Sequence, residues 1–78
     1  MKELLVYIVR ELVDDPDAID VREIESEDGS EVTLELRVAK EDMGKVIGRQ
    51  GRIARELRTI MRSAAGHEDK RVTVEICD

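Results

Sequence analysis

The sequence predicts an α+β domain, in which three helices cover one face of a three-stranded sheet in the order α-β-β-α-α-β. Two patterns lead to this fold class. Three short segments alternate apolar and polar residues, which is the period of half-buried strands. Two longer segments repeat apolar residues every three or four positions, as amphipathic helices do. The chain of 78 residues has the length of one domain, which we expect to span 1–78.

The helices are predicted at the start of the chain and on both sides of a pair of glycines. The first covers 3–13 and ends before Pro16, because proline cannot continue a helix. A short helix over 41–47 leads into the glycines. The third runs from Arg52 to a stop at Gly66. Its apolar stripe is predicted to consist of Ile53, Leu57, Ile60, Met61 and Ala64.

The strands are predicted on either side of an Asp28-Gly29 turn and at the end of the chain. The first strand starts at Ile19, and a slip in its alternation before Ile24 indicates a bulge. The other two strands alternate cleanly, so the sheet should have one apolar and one polar face. Their apolar positions are Val32, Leu34, Leu36 and Val38 in the second strand, and Val72, Val74 and Ile76 in the third.

Charge is distributed very unevenly along the chain, whose formal net charge is −6. Residues 45–62 contain six basic residues and one acid, or +5. The remaining residues carry seven bases and eighteen acids, or −11, which together give −6. The basic segment contains Gly48 and Gly51, with Arg49 and Gln50 between them. An acidic protein thus concentrates its positive charge around one glycine turn.

Several chemical classes are excluded or disfavoured by this turn. A P-loop requires Gly-Lys-Ser/Thr, whereas Arg52 follows Gly51 here. A dinucleotide loop requires a first glycine where Val46 stands. No catalytic motif connects a serine to the single His67, which also has no neighbouring Cys or second His to share a metal. We therefore expect a protein that is not an enzyme and that needs no cofactor or metal.

Two interpretations of the turn remain open. A purely architectural turn explains the glycines but not the long polar residues Arg49 and Gln50 between them. A nucleic-acid clamp explains both, because glycines let a phosphate chain approach the backbone and arginines pair with phosphates. The chain has no Phe or Trp and one tyrosine, so it lacks the aromatic platforms on which other binders stack bases. Base contacts would then be aliphatic.

The stretch Val46-Ile47-Gly48-Arg49-Gln50-Gly51 resembles the VIGxxG core of KH domains. The element order, with the glycine turn between the last two helices, resembles the prokaryotic type II arrangement. The stretch from Ala39 to Ala54 is similar to that of the KhpA family of small stand-alone bacterial KH proteins. This resemblance covers essentially the whole chain.

The resemblance implies a module that binds about four nucleotides of single-stranded RNA and acts as an RNA chaperone or post-transcriptional regulator. The third position after the second glycine, often aliphatic in KH domains, is Ala54 here, which implies a shallower groove and low base selectivity. The RNA-binding residues that it implies are Lys45, Val46, Ile47, Gly48, Arg49, Gln50, Gly51, Arg52 and Arg55, beside a groove formed by Leu36, Val38 and Ile53.

The resemblance also implies partners. Proteins of this kind pair with themselves or with a larger KhpB-like protein that carries its own KH domain, and Ile60 and Met61 are the candidate interface. The alternative function is a dimerising protein-interaction adaptor with a mainly structural turn, favoured by the −11 outside the basic segment. The single Cys77 fits a reducing compartment, and no apolar run approaches the ~20 residues of a membrane span. We therefore expect a cytoplasmic protein.

Overall fold

The structure, a computed structural model, describes residues 1–66 and 70–77, so His67 lies outside the described residues. It confirms the α+β class and the element order of a type II KH domain. The helices and strands are α1 (Lys2–Arg10), β1 (Asp20–Glu25), β2 (Glu31–Arg37), α2 (Met43–Ile47), α3 (Arg52–Ala65) and β3 (Arg71–Cys77). Short 3-10 turns lie at Pro16–Ala18, Lys40–Asp42 and Arg49–Gly51.

The sheet is mixed, with β2 in the centre. Its register with β1 is antiparallel, and its register with β3 is parallel. A parallel neighbour requires a crossover connection, and α2 and α3 form it. The first helix packs on β1 and α3 packs chiefly on β3, so the helices cover one face of the sheet.

The core lies between this face and the helices. The strands contribute Val32, Leu34, Leu36, Val72 and Val74, all buried as the alternation predicts. The helices contribute Leu5, Val9, Val46, Leu57, Met61 and Ala65.

The first strand differs from its prediction. Its register with β2 is continuous from Asp20↔Arg37 to Glu25↔Val32, so the predicted bulge before Ile24 is wrong. Val21 and Ile24 are three residues apart, and a strand of period two places them on opposite faces. Val21 is buried in the core, and Ile24 lies exposed on the outer face.

The buried stripe of α3 also differs. The core-facing residues are Ala54, Leu57, Met61 and Ala65, whereas the predicted Ile53 and Ala64 are half-buried and Ile60 is exposed. Hydrophobicity alone predicted Ile53 and Ile60 to face the core, but Ala54 and Ala65 do so instead. Their small side chains let the helix pack closely on the sheet. The larger residues lie on the flank of the helix.

The β1–β2 turn is held by a single carboxylate. Oδ1 of Asp28 accepts the backbone N–H of Ser30 at 3.0 Å and the hydroxyls of Ser30 and Ser26, each at 2.8 Å. Gly29 has φ +74°, the left-handed conformation that makes Asp-Gly a good turn pair. The hydrogen bonds, first those from Ser30, lower the pKa of Asp28 to about 2.

Candidate nucleic-acid interface

The loop between α2 and α3 is built from three residues with positive φ. Gly48 has φ 77° and ψ 174°, Gln50 has φ 57°, and Gly51 has φ 74° and ψ 15°. Gln50 is the one non-glycine residue with positive φ in the described part of the chain. The sequence GRQG therefore forms a tight turn that ends one helix and starts the next within four residues.

Gly48 is required for packing as well as for conformation. A Cβ atom at this position would lie 2.4 Å from Cγ1 and 2.9 Å from the backbone N of Ile53. Its ψ near 180° also places it in a region that only glycine adopts readily. Gly51 has open space around it, so its left-handed φ alone explains the glycine. The two glycines thus fix the loop in different ways.

The loop presents unpaired hydrogen-bond donors. The N–H of Gly48 donates to Gly44 O at 2.9 Å and that of Gly51 to Gly48 O at 3.2 Å. The N–H groups of Arg49 and Gln50 have no partner within 1–66 and 70–77. The start of α3 adds the positive end of its helix dipole. Arg49, Gln50, Arg52 and Ile53 line a shallow concavity of about 370 Å³ here.

Three exposed arginines surround this turn, namely Arg49, Arg52 and Arg55. None of them forms an ion pair with another described residue. Nη1 of Arg55 donates to the carbonyl of Gln50 at 3.3 Å, which keeps its guanidinium beside the loop. Three cations therefore lie next to backbone donors, an arrangement suited to a chain of phosphates.

Lys45 differs from its prediction as an RNA-binding residue. Its ammonium donates to carboxylates of Asp14 and of Asp42, the latter at 3.2 Å. These hydrogen bonds, first the one to Asp14, raise the pKa of Lys45. Its charge is therefore already compensated, and counting it toward the basic segment overstates the charge available to phosphate.

Asp42 is a buried carboxylate that the sequence analysis did not identify. Asp42 is only 1% exposed. Its Oδ1 accepts a hydrogen bond from the backbone N–H of Asp14 at 3.2 Å, and its Oδ2 accepts one from that of Asp15 at 3.0 Å. Together with Lys45, Asp42 ties the connection between α1 and β1 to the start of α2. It thereby anchors the helix that leads into the glycine turn. A lone acid three residues before a lysine is too common a pattern to reveal such a role.

Replacing Asp42 by asparagine is expected to lower the melting temperature at pH 7 by roughly 5–10 °C. Burial alone would raise the pKa of Asp42, but the N–H groups of Asp14 and Asp15 and the ammonium of Lys45 outweigh it and lower the pKa. The ionised Asp42 carboxylate therefore contributes its full stabilisation of the fold above the unfolded pKa of about 3.9. This stabilisation is lost as pH falls through the lowered pKa of the folded state.

The measurement is a set of circular-dichroism melts of wild type and Asp42→Asn between pH 2.5 and 7. The difference in melting temperature should shrink below about pH 4. Asp28, whose pKa is also lowered, titrates in both proteins and cancels in the difference. A difference that stays constant with pH would contradict the role assigned to the ionised carboxylate.

The predicted aliphatic groove is only partly accessible. Val46 and Leu36, predicted as an RNA-binding residue and a groove residue, are fully buried, so they support the site from below and expose no side-chain surface in this structure. Ile47 is 38% exposed, and Val38 and Ile53 are half-buried. Only Ile53 of the predicted groove lines the concavity at the loop. The resemblance implied Leu36 as a groove residue, whereas the alternation of β2 directs it into the core.

The predicted interface residues on α3 separate in the same way. Met61 is fully buried in the core, so the prediction that it contacts a second chain is corrected. Ile60 is 43% exposed and remains available for contact.

One group of side chains has the proximity of a metal site. Ligand atoms of Glu35, Glu75 and Cys77 lie within 4.8 Å of one another, where β2 and β3 run side by side. Adjacent acids are common on a solvated sheet face, and no further feature within the described ranges indicates a metal there. Among the same residues, no helix is long and apolar enough to cross a membrane.

Comparison with known proteins identifies the family. The family model described as the KH domain of KhpA/KhpB matches residues 2–76. RNA-binding protein KhpA of Clostridium acetobutylicum is 55% identical over 76 residues, covering 97% of this chain and 99% of the relative. The protein of the same name from Caldanaerobacter subterraneus subsp. tengcongensis is 54% identical over 76 residues, covering the same shares.

A third relative extends the match to both ends. RNA-binding protein KhpA of Halalkalibacterium halodurans is 47% identical over 78 residues, which is the full length of both chains. No solved structure matches the chain. The family resemblance carried by the glycine turn is thereby confirmed, and the chain belongs to the KhpA/KhpB family of KH-domain proteins.

Proposed function

We propose that this protein binds single-stranded RNA without catalysing a reaction, and that the turn from Gly48 to Gly51 holds the phosphate backbone. The observation that carries the proposal is a combination found within residues 1–66 and 70–77: the N–H groups of Arg49 and Gln50 have no partner, and three arginines beside them form no ion pair. Backbone donors orient a phosphate, and the guanidinium groups neutralise it. The RNA-binding names of the relatives support the same ligand.

The bases lie against aliphatic rather than aromatic surface in this proposal. Ile53 lines the concavity, Ile47 is the more exposed residue before the turn, and Val38 is half-buried. Such contacts exclude water from a base but discriminate poorly between bases, because they read no hydrogen-bonding edge. We therefore expect low sequence selectivity, which fits an RNA chaperone or post-transcriptional regulator acting in the cytoplasm.

Binding is expected to weaken steeply with salt. The three arginines at the turn should by themselves contribute a slope of about −2 in log K against log salt, at about −0.7 per phosphate on a single strand. The measurement is fluorescence anisotropy of a labelled 12-nucleotide oligouridine between 25 and 200 mM salt. A 12-base-pair RNA duplex is the control, since its paired bases cannot reach the aliphatic residues. The absence of binding at 25 mM, or equal affinity for the duplex, would disprove the proposal.

A second proposal, pairing with a second copy or with a KhpB-like protein, is favoured by the exposure of Ile60 on α3. One exposed isoleucine does not make an interface by itself, so the proposal depends on solution mass. Light scattering with and without the oligouridine separates the two functions. A salt-independent dimer that retains no RNA would establish the adaptor and overturn the RNA-binding proposal.

A further inference from the structure

The exposed side of α3 carries a row of basic residues that extends away from the glycine turn. Arg52, Arg55 and Arg62, together with Thr59, fall within an arc of about 80° at 3.6 residues per turn. All four are exposed, and they lie opposite the core-facing Leu57 and Met61. We call Arg52, Arg55 and Arg62 the arginine ridge. With a rise of 1.5 Å per residue, the ridge is about 15 Å long.

The ridge is not explained by ion pairs. In the part of the chain that the structure describes, none of its three arginines pairs with a carboxylate, including Glu56, the single acid of α3. Nε of Arg62 donates to the carbonyl of Arg58 at 3.4 Å, a contact within the helix whose acceptor is neutral. A ridge of free cations is costly through mutual repulsion unless an anion approaches it.

Arg58 has a different role from its neighbours. It is half-buried, and its Nε donates to the carbonyl of Val74 in β3 at 3.2 Å. In a parallel strand, the N–H and C=O of one residue point to the same neighbouring strand. The N–H and C=O of the next residue point to the opposite side. Since Arg71 N–H bonds to Ser30 O on the β2 side, the carbonyl of Val74 faces the free edge of the sheet. Arg58 therefore fastens α3 to β3 and is not counted in the ridge.

We propose that the arginine ridge is a second binding site for the phosphate backbone of the same RNA, continuing from the glycine turn along α3. This inference rests on the proposed function, because it extends the strand that the turn holds. The ridge shares Arg52 and Arg55 with the turn and adds Arg62 as a new contact. Its length of about 15 Å is enough to meet more than one further phosphate of the same strand. The −11 on the rest of the chain repels phosphate elsewhere and favours this path.

The test compares oligouridines of 4, 8 and 12 nucleotides by competition anisotropy. If the turn alone binds four nucleotides, a 12-mer offers it about nine registers and a 4-mer offers one. The affinity for the 12-mer should then exceed that for the 4-mer about ninefold at every salt concentration. Contact with the ridge should add to this statistical gain. It should also steepen the salt slope by about 0.7 for each further phosphate.

Arg62→Gln is the diagnostic variant, and Arg10→Gln is its matched control. Both remove one exposed positive charge near the end of a helix, but α1 packs on β1, at the opposite edge of the sheet. Arg62→Gln should lower the affinity for the 12-mer roughly three- to fivefold, as expected for the loss of one exposed ion pair, and leave the affinity for the 4-mer unchanged. The salt slope for the 12-mer should fall by about 0.7, whereas Arg10→Gln should match wild type.

Each other outcome decides against the ridge. Equal 12-mer affinities of the two variants would mean that the ridge is only a solvated helix face. If Arg62→Gln altered self-association without RNA but not RNA affinity, the ridge would bind an acidic surface of a second copy. If wild type bound the 4-mer and its affinity for the 12-mer were no more than ninefold higher, the ridge would not bind RNA. The proposed function of the turn would still stand. Failure of wild type to bind any oligouridine would remove both.

Discussion

Replacing Arg49 and Gln50 together by aspartate is expected to abolish RNA binding, with a loss of at least about 100-fold. The two changes alter the charge of the turn by −2 and −1, directly beside the unpaired N–H groups. Both side chains are exposed, and aspartate accepts the left-handed conformation of residue 50 better than most residues do. The fold should therefore persist, with an unchanged circular-dichroism spectrum and a melting temperature within a few degrees.

The control must change charge equally at a distant place. Arg10→Asp with Lys2→Gln also alters the charge by −2 and −1, but on α1. This control should lower the affinity for the 12-nucleotide oligouridine far less, because it adds only the repulsion between a more negative protein and the RNA. If both double variants lost affinity equally, net charge and not the turn would govern binding. If the double aspartate kept wild-type affinity, the turn would not hold the RNA backbone.

Replacing Gly48 by alanine is expected to destabilise the protein by about 2–4 kcal/mol. The backbone conformation at this position costs a side chain about 1–3 kcal/mol, and the new Cβ would press on the side chain and backbone of Ile53. Gly51→Ala is the matched control, because it adds the same methyl group where nothing lies within 4 Å. It should cost about 1–2 kcal/mol, the price of a left-handed conformation alone.

Urea denaturation followed by circular dichroism measures the difference between these two variants. The shift of the midpoint should be clearly larger for Gly48→Ala at an unchanged slope. Adding Ile53→Ala removes the clash with Cγ1 but leaves the Cβ and the backbone N of residue 53, each at 2.9 Å, so rescue should be incomplete. Equal destabilisation by Gly48→Ala and Gly51→Ala would mean that the loop repacks and that contact with Ile53 does not constrain it.

Local patterns in the sequence predicted the fold well where one residue type meets a strict backbone requirement. The alternation of β2 placed Val32, Leu34 and Leu36 in the core, and the Asp28-Gly29 pair located the turn before it. The glycines at 48 and 51 located the loop between α2 and α3. In each case the conformation depends on neighbours within a few residues, so periodicity and turn chemistry carry the information.

Side-chain partners distant in sequence were not predictable in the same way. Asp42 binds the N–H groups of Asp14 and Asp15, 28 and 27 residues earlier, and no period links them. Lys45 entered the charge count as a free cation because composition does not record its pairing with Asp14. Counting hydrophobicity likewise favoured Ile60 over Ala65 for the core, although the close approach of α3 to β3 selects the smaller residue.

The parallel pairing of β2 with β3 has a consequence for biosynthesis. As the chain leaves the ribosome, β2 gains its antiparallel partner early, because β1 precedes it across a short turn. Its other partner is made last, after α2 and α3. Until Arg71–Cys77 emerges, one edge of the central strand and the apolar side of α3 lack their main packing surface. Such exposed edges and apolar faces invite wrong association. Folding of this domain is thus completed only once β3 is available, and a nascent chain stalled before β3 is a natural target for chaperones.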